Sequence, residues 1–293
     1  MDYQINFPHL GIYLDHVGKE FFIGNFSIAF YGIAIVLGML LGIWAVRLRA
    51  KETGQSPDDY LDISLITLAA AIVGARLYYV IFSWDYYRLH PLEILDFRGG
   101  GLALYGSVIG AVSTAVIYAL VKKLKPALML DTACTGLVLG QVIGRWGNFF
   151  NREAFGTYTD NLLAMRLPLS AVRADEVTGL MMEKAEEIGG ETFIQVHPTF
   201  LYESLWNLGV LMVLLLMTKN KFKKADGEIF LWYLLLYGIG RFWIEGLRTD
   251  QLLVWGTDIA VSQLLAAVLA VGSGLLILLI RFVFTGAGRR RKS

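Results

Sequence analysis

The residues with the clearest chemical potential are arginines that stand within or at the ends of apolar stretches. Arg76, Arg145 and Arg241 each follow a small residue and precede bulky ones. An arginine at bilayer depth costs about 2.5–3.5 kcal/mol on insertion scales, so a membrane protein that keeps one usually supplies an anion for it. Three such cations indicate a ligand that carries phosphate, whose oxygens the planar guanidinium group binds in pairs.

Acidic and amide side chains accompany these arginines. Arg241 and Glu245 stand four residues apart and Glu245 and Arg248 three apart, so the three share one helix face. We predict that Glu245 orients Arg241 or Arg248 and leaves the remaining cation for a phosphate. Glu203, near the start of another apolar segment, belongs to the same predicted pocket, as do Asn148, Asn151 and Glu153.

Other candidate groups are few. For Arg76 considered by itself, the alternative to a binding role is snorkelling, in which the side chain extends outward to water. Of the four histidines, His197 is the one predicted to face the pocket, because it precedes Pro198 and opens an apolar segment. Cys134 is the single cysteine and is predicted to be a small buried residue. The sequence has no metal-ligand cluster at standard spacing and no nucleotide-binding fingerprint, so we predict neither a metal nor a cofactor.

The composition predicts a membrane protein that positions these groups on helices. Hydrophobic residues make up 56% of the chain and the mean hydropathy is +0.54, which excludes an ordinary soluble domain. A hydrocarbon core of about 30 Å requires about 20 apolar residues per helix. We therefore predict an all-α polytopic membrane protein with seven transmembrane helices, near residues 25–46, 62–83, 102–121, 130–148, 199–218, 229–246 and 259–282.

The distribution of basic residues predicts the orientation. Lysines and arginines cluster after the first, third, fifth and seventh apolar segments. The positive-inside rule then places the N-terminus outside and the C-terminus in the cytoplasm. Arg76, Arg145 and Arg241 fall in the outer half of the bilayer, within about 12 Å of its surface at the helical rise per residue. Because every basic cluster abuts a membrane segment, no nucleic-acid partner is predicted.

Five regions follow from this topology. Residues 149–198 are predicted to form a small extracytoplasmic cap, with a strand near 162–167 and a helix near 173–188 that ends at a glycine pair. The predicted regions are an outer amphipathic arm (1–24), transmembrane helices one to four (25–148), the cap (149–198), helices five to seven (199–282) and a basic cytoplasmic tail (283–293).

Glycine spacing predicts close helix packing. Gly38 and Gly42, Gly106 and Gly110, and Gly136, Gly140 and Gly144 follow the pattern of small residues at every fourth position. The run Gly99-Gly100-Gly101 before the third segment has two interpretations, an anion-binding nest or a flexible turn.

A resemblance to a known family rests on the motif GRWGNFFNRE at 144–153 followed by Gly156. This stretch resembles the signature of the bacterial prolipoprotein diacylglyceryl transferases. The likeness extends along nearly the whole chain, through FYG at 30–32, GARLYY at 74–79, GGL at 100–102, HPTFLYE at 197–203 and YGIGRF at 237–242.

The resemblance implies a reaction in the bacterial cell membrane. Such enzymes move the diacylglyceryl group of phosphatidylglycerol to the lipobox cysteine thiol of a preprolipoprotein, form a thioether and release glycerol phosphate. A site toward the outer leaflet is expected. By the resemblance, Arg145 and Arg241 contact the phosphate or headgroup, while Tyr31, Asn148 and Gly156 match positions important for activity.

One departure from the family concerns the proton acceptor. Many members have a histidine where this chain has Tyr105. A phenol has an ordinary pKa near 10, against about 6.5 for an imidazole. Either Tyr105 is activated by a nearby arginine or another group accepts the proton of the thiol. We favour His197 as the acceptor, with Tyr105 donating a hydrogen bond to a headgroup oxygen.

Two other functions fit part of the pattern. A different membrane phospholipid-headgroup transferase would share the arginines but accept another nucleophile. An anion transporter would also require buried arginines, but transporters often show inverted repeats and interrupted helices near the midplane. Here the charged residues are predicted to cluster toward one face.

Overall fold

The computed structural model describes residues 2–96, 100–219, 222–257 and 259–290, with residues 2, 3, 219 and 284–290 described by backbone only. Helices dominate this part of the chain, and each predicted apolar segment coincides with one long helix. The long helices are α1 (Phe30–Glu52), α2 (Pro57–Phe82), α4 (Leu104–Val121), α5 (Pro126–Asn151), α7 (Thr199–Lys219), α8 (Glu228–Glu245) and α9 (Val261–Arg290); α3 (Trp84–Tyr87) and α6 (Gly179–Glu183) are short.

Six of the long helices are long and apolar enough to cross a membrane, which makes the chain a multi-pass helical membrane protein. They are α1, α2, α4, α5, α7 and α9. Helix α8 is not among the six; it has 18 residues and carries Glu228, Arg241 and Glu245. The seventh crossing therefore stays a prediction. The end of the predicted basic tail, residues 291–293, lies outside the described residues.

The chain divides into two compact units, one of residues 43–132 and one of residues 1–42 with 133–293. In the first unit α2 packs closely on α4 through glycines. A Cβ placed on Gly74 would lie 2.5 Å from the carbonyl oxygen of Gly106, and Gly110 faces the Ala70 carbonyl in the same way. The predicted use of small residues for helix packing is thus confirmed for this pair.

The second unit uses the same device between α1 and α5. A Cβ on Gly42 would lie 2.8 Å from the carbonyl oxygen of Gly136, and one on Gly38 would lie 3.1 Å from that of Gly140. Cys134 is fully buried on α5, as predicted, among side chains of α7 and α8. These contacts bring the helices that carry the candidate site residues to close packing distance.

The second unit also contains two antiparallel sheets, most of which the sequence did not predict. The larger has the strand order β2-β1-β5-β7-β6 and a core that includes Ile5, Leu167 and Ile194; the smaller is the hairpin β3–β4. The strands are β1 (Asp2–Phe7), β2 (Ile12–Gly18), β3 (Glu20–Ile23), β4 (Phe26–Ala29), β5 (Met165–Pro168), β6 (Glu186–Ile188) and β7 (Glu191–Val196).

The predicted strand near 162–167 corresponds to β5, but the single helix predicted at 173–188 is wrong. That stretch holds a 3₁₀ turn at Ala174–Glu176, the short α6 and then β6. Gly189 and Gly190 both have positive φ, 62° and 83°, so they form a tight hairpin that pairs β6 with β7. Two residues with positive φ are what the favoured hairpin turns require, and this local geometry overrides the weak helical pattern.

Candidate active site

The centre of the candidate site is Glu203, in the second turn of α7, which is only 4% exposed. Its Oε2 lies 2.7 Å from Nε of Arg145 at the end of α5. Its Oε1 accepts a hydrogen bond of 2.8 Å from Nη1 of Arg241 on α8. One buried carboxylate therefore joins the two arginines of the predicted phosphate site and fixes three helices to each other.

Glu245 is the second carboxylate of the site and lies one turn after Arg241 on α8. Its Oε2 is 2.5 Å from Nη2 of Arg241 and 3.9 Å from Nε of Arg248. Its Oε1 accepts a hydrogen bond from Ser262 in the first turn of α9. Glu245 thus contacts both arginines that the sequence offered as alternatives, and it binds Arg241 more closely.

Arg248 has a carboxylate of its own, Asp250, which the sequence did not single out. Nε and Nη2 of Arg248 donate to the two oxygens of Asp250 at 2.8 and 2.6 Å. Burial alone would lower the pKa of Arg248, but the paired Asp250 outweighs it and the pKa lies above its ordinary value. Burial likewise acts to raise the pKa of Asp250, and Arg248 holds it below its usual range. Both groups are therefore charged at neutral pH.

The charges of this cluster balance, and one arginine has terminal donors that no carboxylate of the described residues engages. Arg145, Arg241 and Arg248 face Glu203, Glu245 and Asp250. Within the described part of the chain the carboxylates engage Arg145 only through Nε, whereas both terminal nitrogens of Arg241 are paired. The side chain of Arg145 is also the most exposed of the three, at 25%. The two terminal nitrogens of a guanidinium group form a planar fork that can bind two oxygens of one phosphate.

Gly156 brings the loop after α5 against two other segments. Its N–H donates to the carbonyl of His197 at 3.0 Å, and it pairs on its other side with Arg248. A Cβ at this position would lie 2.8 Å from Cβ of His197 and 2.9 Å from the Leu247 carbonyl oxygen. A glycine is therefore required here by close packing between the histidine and the Arg248 segment.

A second polar group surrounds Glu153, just after α5. Its Oε1 accepts hydrogen bonds of 3.2 Å from both Asn148 and Asn151, and its Oε2 lies 3.2 Å from Nη2 of Arg173. The three residues predicted from the sequence are thus in contact, and Arg173 is an addition. Glu153 sets the orientation of both amides at the end of the helix that carries Arg145.

Arg152 anchors the turn that follows α5. It is almost completely buried, adopts the left-handed region with φ of 54°, and donates to the carbonyls of Phe150 and Val17. Ala154, two residues later, also has a positive φ of 57°. These conformations reverse the chain and direct Gly156 toward the site. The motif contains Arg152, but its spacing alone carries no signal of this role.

His197 lies at the end of β7, immediately before α7. Its Nδ1 is 3.2 Å from the hydroxyl of Tyr202 and 3.5 Å from Nδ2 of Asn161. Burial lowers the pKa of the imidazole below its ordinary value, so the ring is neutral at pH 7. The backbone of Gly156 contacts both the His197 segment and the Arg248 segment. His197 is therefore at the edge of the arginine cluster.

Two predicted residues belong to the other unit of the chain. Arg76 is 4% exposed, and its guanidinium donates to the carbonyls of Glu93, Ile94, Gly100 and Gly101. These contacts anchor the loop before α4, and a phosphate contact of Arg76 stays a prediction. Gly99 lies outside the described residues, while Gly100 and Gly101 direct carbonyl oxygens at the arginine. Tyr105 is in the first turn of α4 and is 60% exposed.

Tyr31, in the first turn of α1, completes the predicted set. Its ring packs over the backbone of Gly147, where a Cβ would lie 2.7 Å from Cδ2 of the ring. Gly147 belongs to the same helix as Arg145 and Asn148, and a contact of the phenol with the substrate stays a prediction. This aromatic contact explains why the motif has a glycine at position 147.

The sequence missed several residues of the site, and each lacks a local signal. Asp250 and Ser262 lie in and after the loop that follows α8, and Arg173 and Asn161 lie in the cap. All four are polar residues in segments where polar residues are expected. These four residues differ from ordinary surface groups only in the folded protein, where separate segments of the chain come together.

Comparison with known proteins identifies the family of this chain. A family model described as prolipoprotein diacylglyceryl transferase matches residues 19–280. The phosphatidylglycerol–prolipoprotein diacylglyceryl transferase of Clostridioides difficile is 41% identical over 241 residues, which cover 82% of this chain and 86% of that protein. The enzyme of the same name from Bacillus licheniformis is 41% identical over 262 residues, 89% of this chain and 92% of its own length. This chain belongs to the prolipoprotein diacylglyceryl transferase family.

Proposed function

We propose that this protein transfers the diacylglyceryl group of phosphatidylglycerol to the cysteine thiol of a preprolipoprotein lipobox. The observation that carries the proposal is the geometry of Arg145, whose Nε is held by buried Glu203 while its terminal nitrogens face no carboxylate of the described chain. Family membership supplies the reaction type. The enzyme needs no nucleophile of its own, because the reacting thiol belongs to the protein substrate.

The chemistry follows from the charges of the site. The thiolate sulfur forms a bond to the glycerol carbon that carries the phosphate ester, and the bond between that carbon and the ester oxygen breaks. The leaving glycerol phosphate gains one negative charge in this step. Donors positioned in advance on that oxygen stabilise the transition state more than the ground state, which is the usual source of electrostatic catalysis. Arg145 supplies these donors, because its two terminal nitrogens face no carboxylate of the described chain.

The other site residues act around this arginine. Arg241 is held by Glu203 and Glu245 and contributes positive potential at the headgroup. The Arg248 segment pairs with Gly156 on the side opposite the His197 segment. The amides of Asn148 and Asn151, oriented by Glu153, serve the hydroxyls of the lipid headgroup, and Tyr31 forms the adjacent wall.

His197 is the proposed acceptor of the thiol proton, and Tyr105 the proposed donor to a headgroup oxygen. A free cysteine has a pKa near 8.5, and only the thiolate reacts. The imidazole is neutral at pH 7 because burial lowers its pKa, so it is available as a base without further activation. Tyr105 is a phenol, which is a poor base at neutral pH.

The orientation is part of the proposal. The alternation of basic segments places the N-terminus and residues 149–198 outside the cell and the C-terminus in the cytoplasm. The arm of residues 1–24 then lies at the outer surface of the cell membrane, with exposed apolar side chains such as Tyr13, Phe22 and Ile23 available to the lipid. The active site is consequently accessible from the outer leaflet.

Purified protein in detergent should transfer diacylglyceryl from phosphatidylglycerol to a lipobox peptide. Mass spectrometry of the peptide measures the increment, and a peptide with serine in place of the cysteine is the control. No increment with phosphatidylglycerol, but modification with a different phospholipid, would support another headgroup transferase. Anion flux in liposomes without any peptide modification would support a transporter instead.

Arg145→Lys should lower the rate by about ten- to a hundredfold although the charge is retained. A lysine cannot contact Glu203 and two phosphate oxygens in one plane, and a hydrogen bond to a charged group is worth about 1.5–3 kcal/mol. Arg88→Lys, at an exposed arginine, is the matched control and should keep the parent rate. A folded Arg145→Lys protein with near-parental turnover would remove Arg145 from the phosphate site.

The pH dependence of kcat/KM should have an acidic limb below the ordinary histidine pKa of about 6.5. His197 must be neutral to accept a proton, so activity is lost as pH falls through its lowered pKa. His197→Ala should remove this limb, whereas Tyr105→Phe should slow the reaction and leave the profile in place. A His197→Ala enzyme with parental rate and profile would show that another group activates the thiol.

Labelling of single cysteines in intact cells tests the orientation. In a Cys134→Ala background, an impermeant thiol reagent should label Asp175→Cys, which is exposed in the cap, and should not label Arg291→Cys. Permeabilised cells should give labelling at both positions, which controls for reactivity. The reverse pattern in intact cells would invert the proposed topology.

A further inference from the structure

The cap contributes Asn161, a residue outside the family motifs quoted above, to the surroundings of His197. Its Oδ1 accepts a hydrogen bond of 2.9 Å from the backbone N–H of Leu163, and its own N–H donates to Oγ1 of Thr159 at 3.3 Å. The first contact fixes which end of the amide is oxygen, because a backbone N–H can only donate. The NH₂ group of Asn161 must therefore point toward His197 and Tyr202.

This orientation decides the hydrogen bonds around the imidazole. Nδ2 of Asn161 donates to the hydroxyl oxygen of Tyr202 at 3.0 Å and lies 3.5 Å from Nδ1 of His197. The hydroxyl of Tyr202 is 3.2 Å from the same Nδ1. The Tyr202 oxygen accepts from the amide and keeps its own hydrogen, for which Nδ1 is the neighbouring acceptor. An Nδ1–H would face the NH₂ group of Asn161 at 3.5 Å, so these surroundings favour the neutral tautomer in which Nδ1 is unprotonated and accepts from Tyr202.

We propose that Asn161 is a positioning residue that, through Tyr202, keeps the hydrogen of neutral His197 on Nε2 and makes Nδ1 the basic nitrogen. The tautomer is inferred from the hydrogen bonds, and its consequence for catalysis rests on the proposed function. Since Nδ1 faces the hydroxyl of Tyr202, the proton that His197 accepts arrives through Tyr202, which is then the group that contacts the thiol.

The proton transfer balances in one step. The thiol hydrogen moves to Oη of Tyr202, while the hydroxyl hydrogen of Tyr202 moves to Nδ1 of His197. The products are a thiolate, a neutral phenol and an imidazolium, and the imidazolium releases its proton to water after the products leave. A direct transfer from thiol to Nε2 would need the opposite tautomer, in which Nδ1–H would face the NH₂ group of Asn161.

Charged groups near this network are engaged elsewhere. Asp160, next to Asn161, is held by His9 at 2.8 Å and by Gln195 at 2.9 Å. Arg248, across Gly156, is paired with Asp250, and Glu203, next to Tyr202, is paired with Arg145 and Arg241. Among the described residues none forms an ion pair with the His197 ring. The tautomer is therefore determined by Asn161 and Tyr202.

Nitrogen NMR of protein labelled with [15N]histidine measures the tautomer directly. The His197 signals are those absent from His197→Ala. At a pH where the ring is neutral, the parent should show an unprotonated Nδ1 and a protonated Nε2. A protonated Nδ1 in the parent overturns the proposal.

Asn161→Asp is the discriminating variant. The aspartate keeps an oxygen for the Leu163 N–H but replaces the NH₂ donor with an acceptor, so the Tyr202 hydroxyl turns toward the carboxylate and the neutral ring shifts to the Nδ1–H form. Asp160→Asn, the reverse exchange one residue earlier, is the matched control and should leave the tautomer unchanged. An Asn161→Asp protein that folds and keeps the parental tautomer also overturns the proposal. If this variant does not fold, Tyr202→Phe should still give a mixture of tautomers, and an unmixed parental form would contradict the assignment.

Kinetics test the relay separately. Tyr202→Phe and His197→Ala should each lower kcat/KM by about a hundredfold, at the lower end of what general base catalysis contributes. The double variant should be no slower than either single one, because both remove the same pathway. Tyr158→Phe, a half-buried tyrosine in the same sheet core, should keep parental activity. A loss of kcat/KM in the double variant that equals the product of the two single losses would overturn the relay. A parent without transfer activity would overturn the proposed function, while the tautomer measurement would stand by itself.

Discussion

The rest of the site depends on the ion pairs that the buried carboxylate of Glu203 forms. It lies between Arg145 and Arg241, at 2.7 and 2.8 Å, and thereby joins α5, α7 and α8. Removing one member of a buried ionic cluster leaves an uncompensated charge, at a cost of about 3–5 kcal/mol. The cluster is therefore tolerated in an apolar environment only as a complete set. This explains why carboxylates equal in number to the arginines surround the site.

That neutrality has a chemical consequence. A cluster with excess positive charge would bind phosphate strongly before and after reaction and would release glycerol phosphate slowly. In the mechanism that we propose, recognition by this neutral cluster depends on the N–H groups of Arg145, which gain most when the leaving group becomes more negative. The carboxylates thus hold the arginines in place and also limit ground-state binding.

The sheets serve the site by bringing three loops together at the ends of the helices. Gly156 contacts both the His197 and the Arg248 segments, and Arg152 ties the same turn to β2 through the Val17 carbonyl. The strand β7 ends at His197, where the backbone turns into α7 and leads directly to Glu203. A small change in the cap would therefore reach the candidate site through backbone hydrogen bonds.

The sequence by itself determined the apolar segments and the placement of Arg241 and Glu245 on one face of a helix. These features depend on composition and on neighbours within one helix, so the long helices and the ion pair along α8 follow from local periodicity. Tertiary structure alone decided that Glu203 links Arg145 to Arg241, that Asp250 pairs with Arg248 and that Asn161 faces His197. It also decided the five-stranded sheet, whose strands come from residues 2–18 and 165–196. Pairing between segments distant in sequence leaves no periodic pattern in either one, because each strand or loop acquires its partner only when the chain has folded.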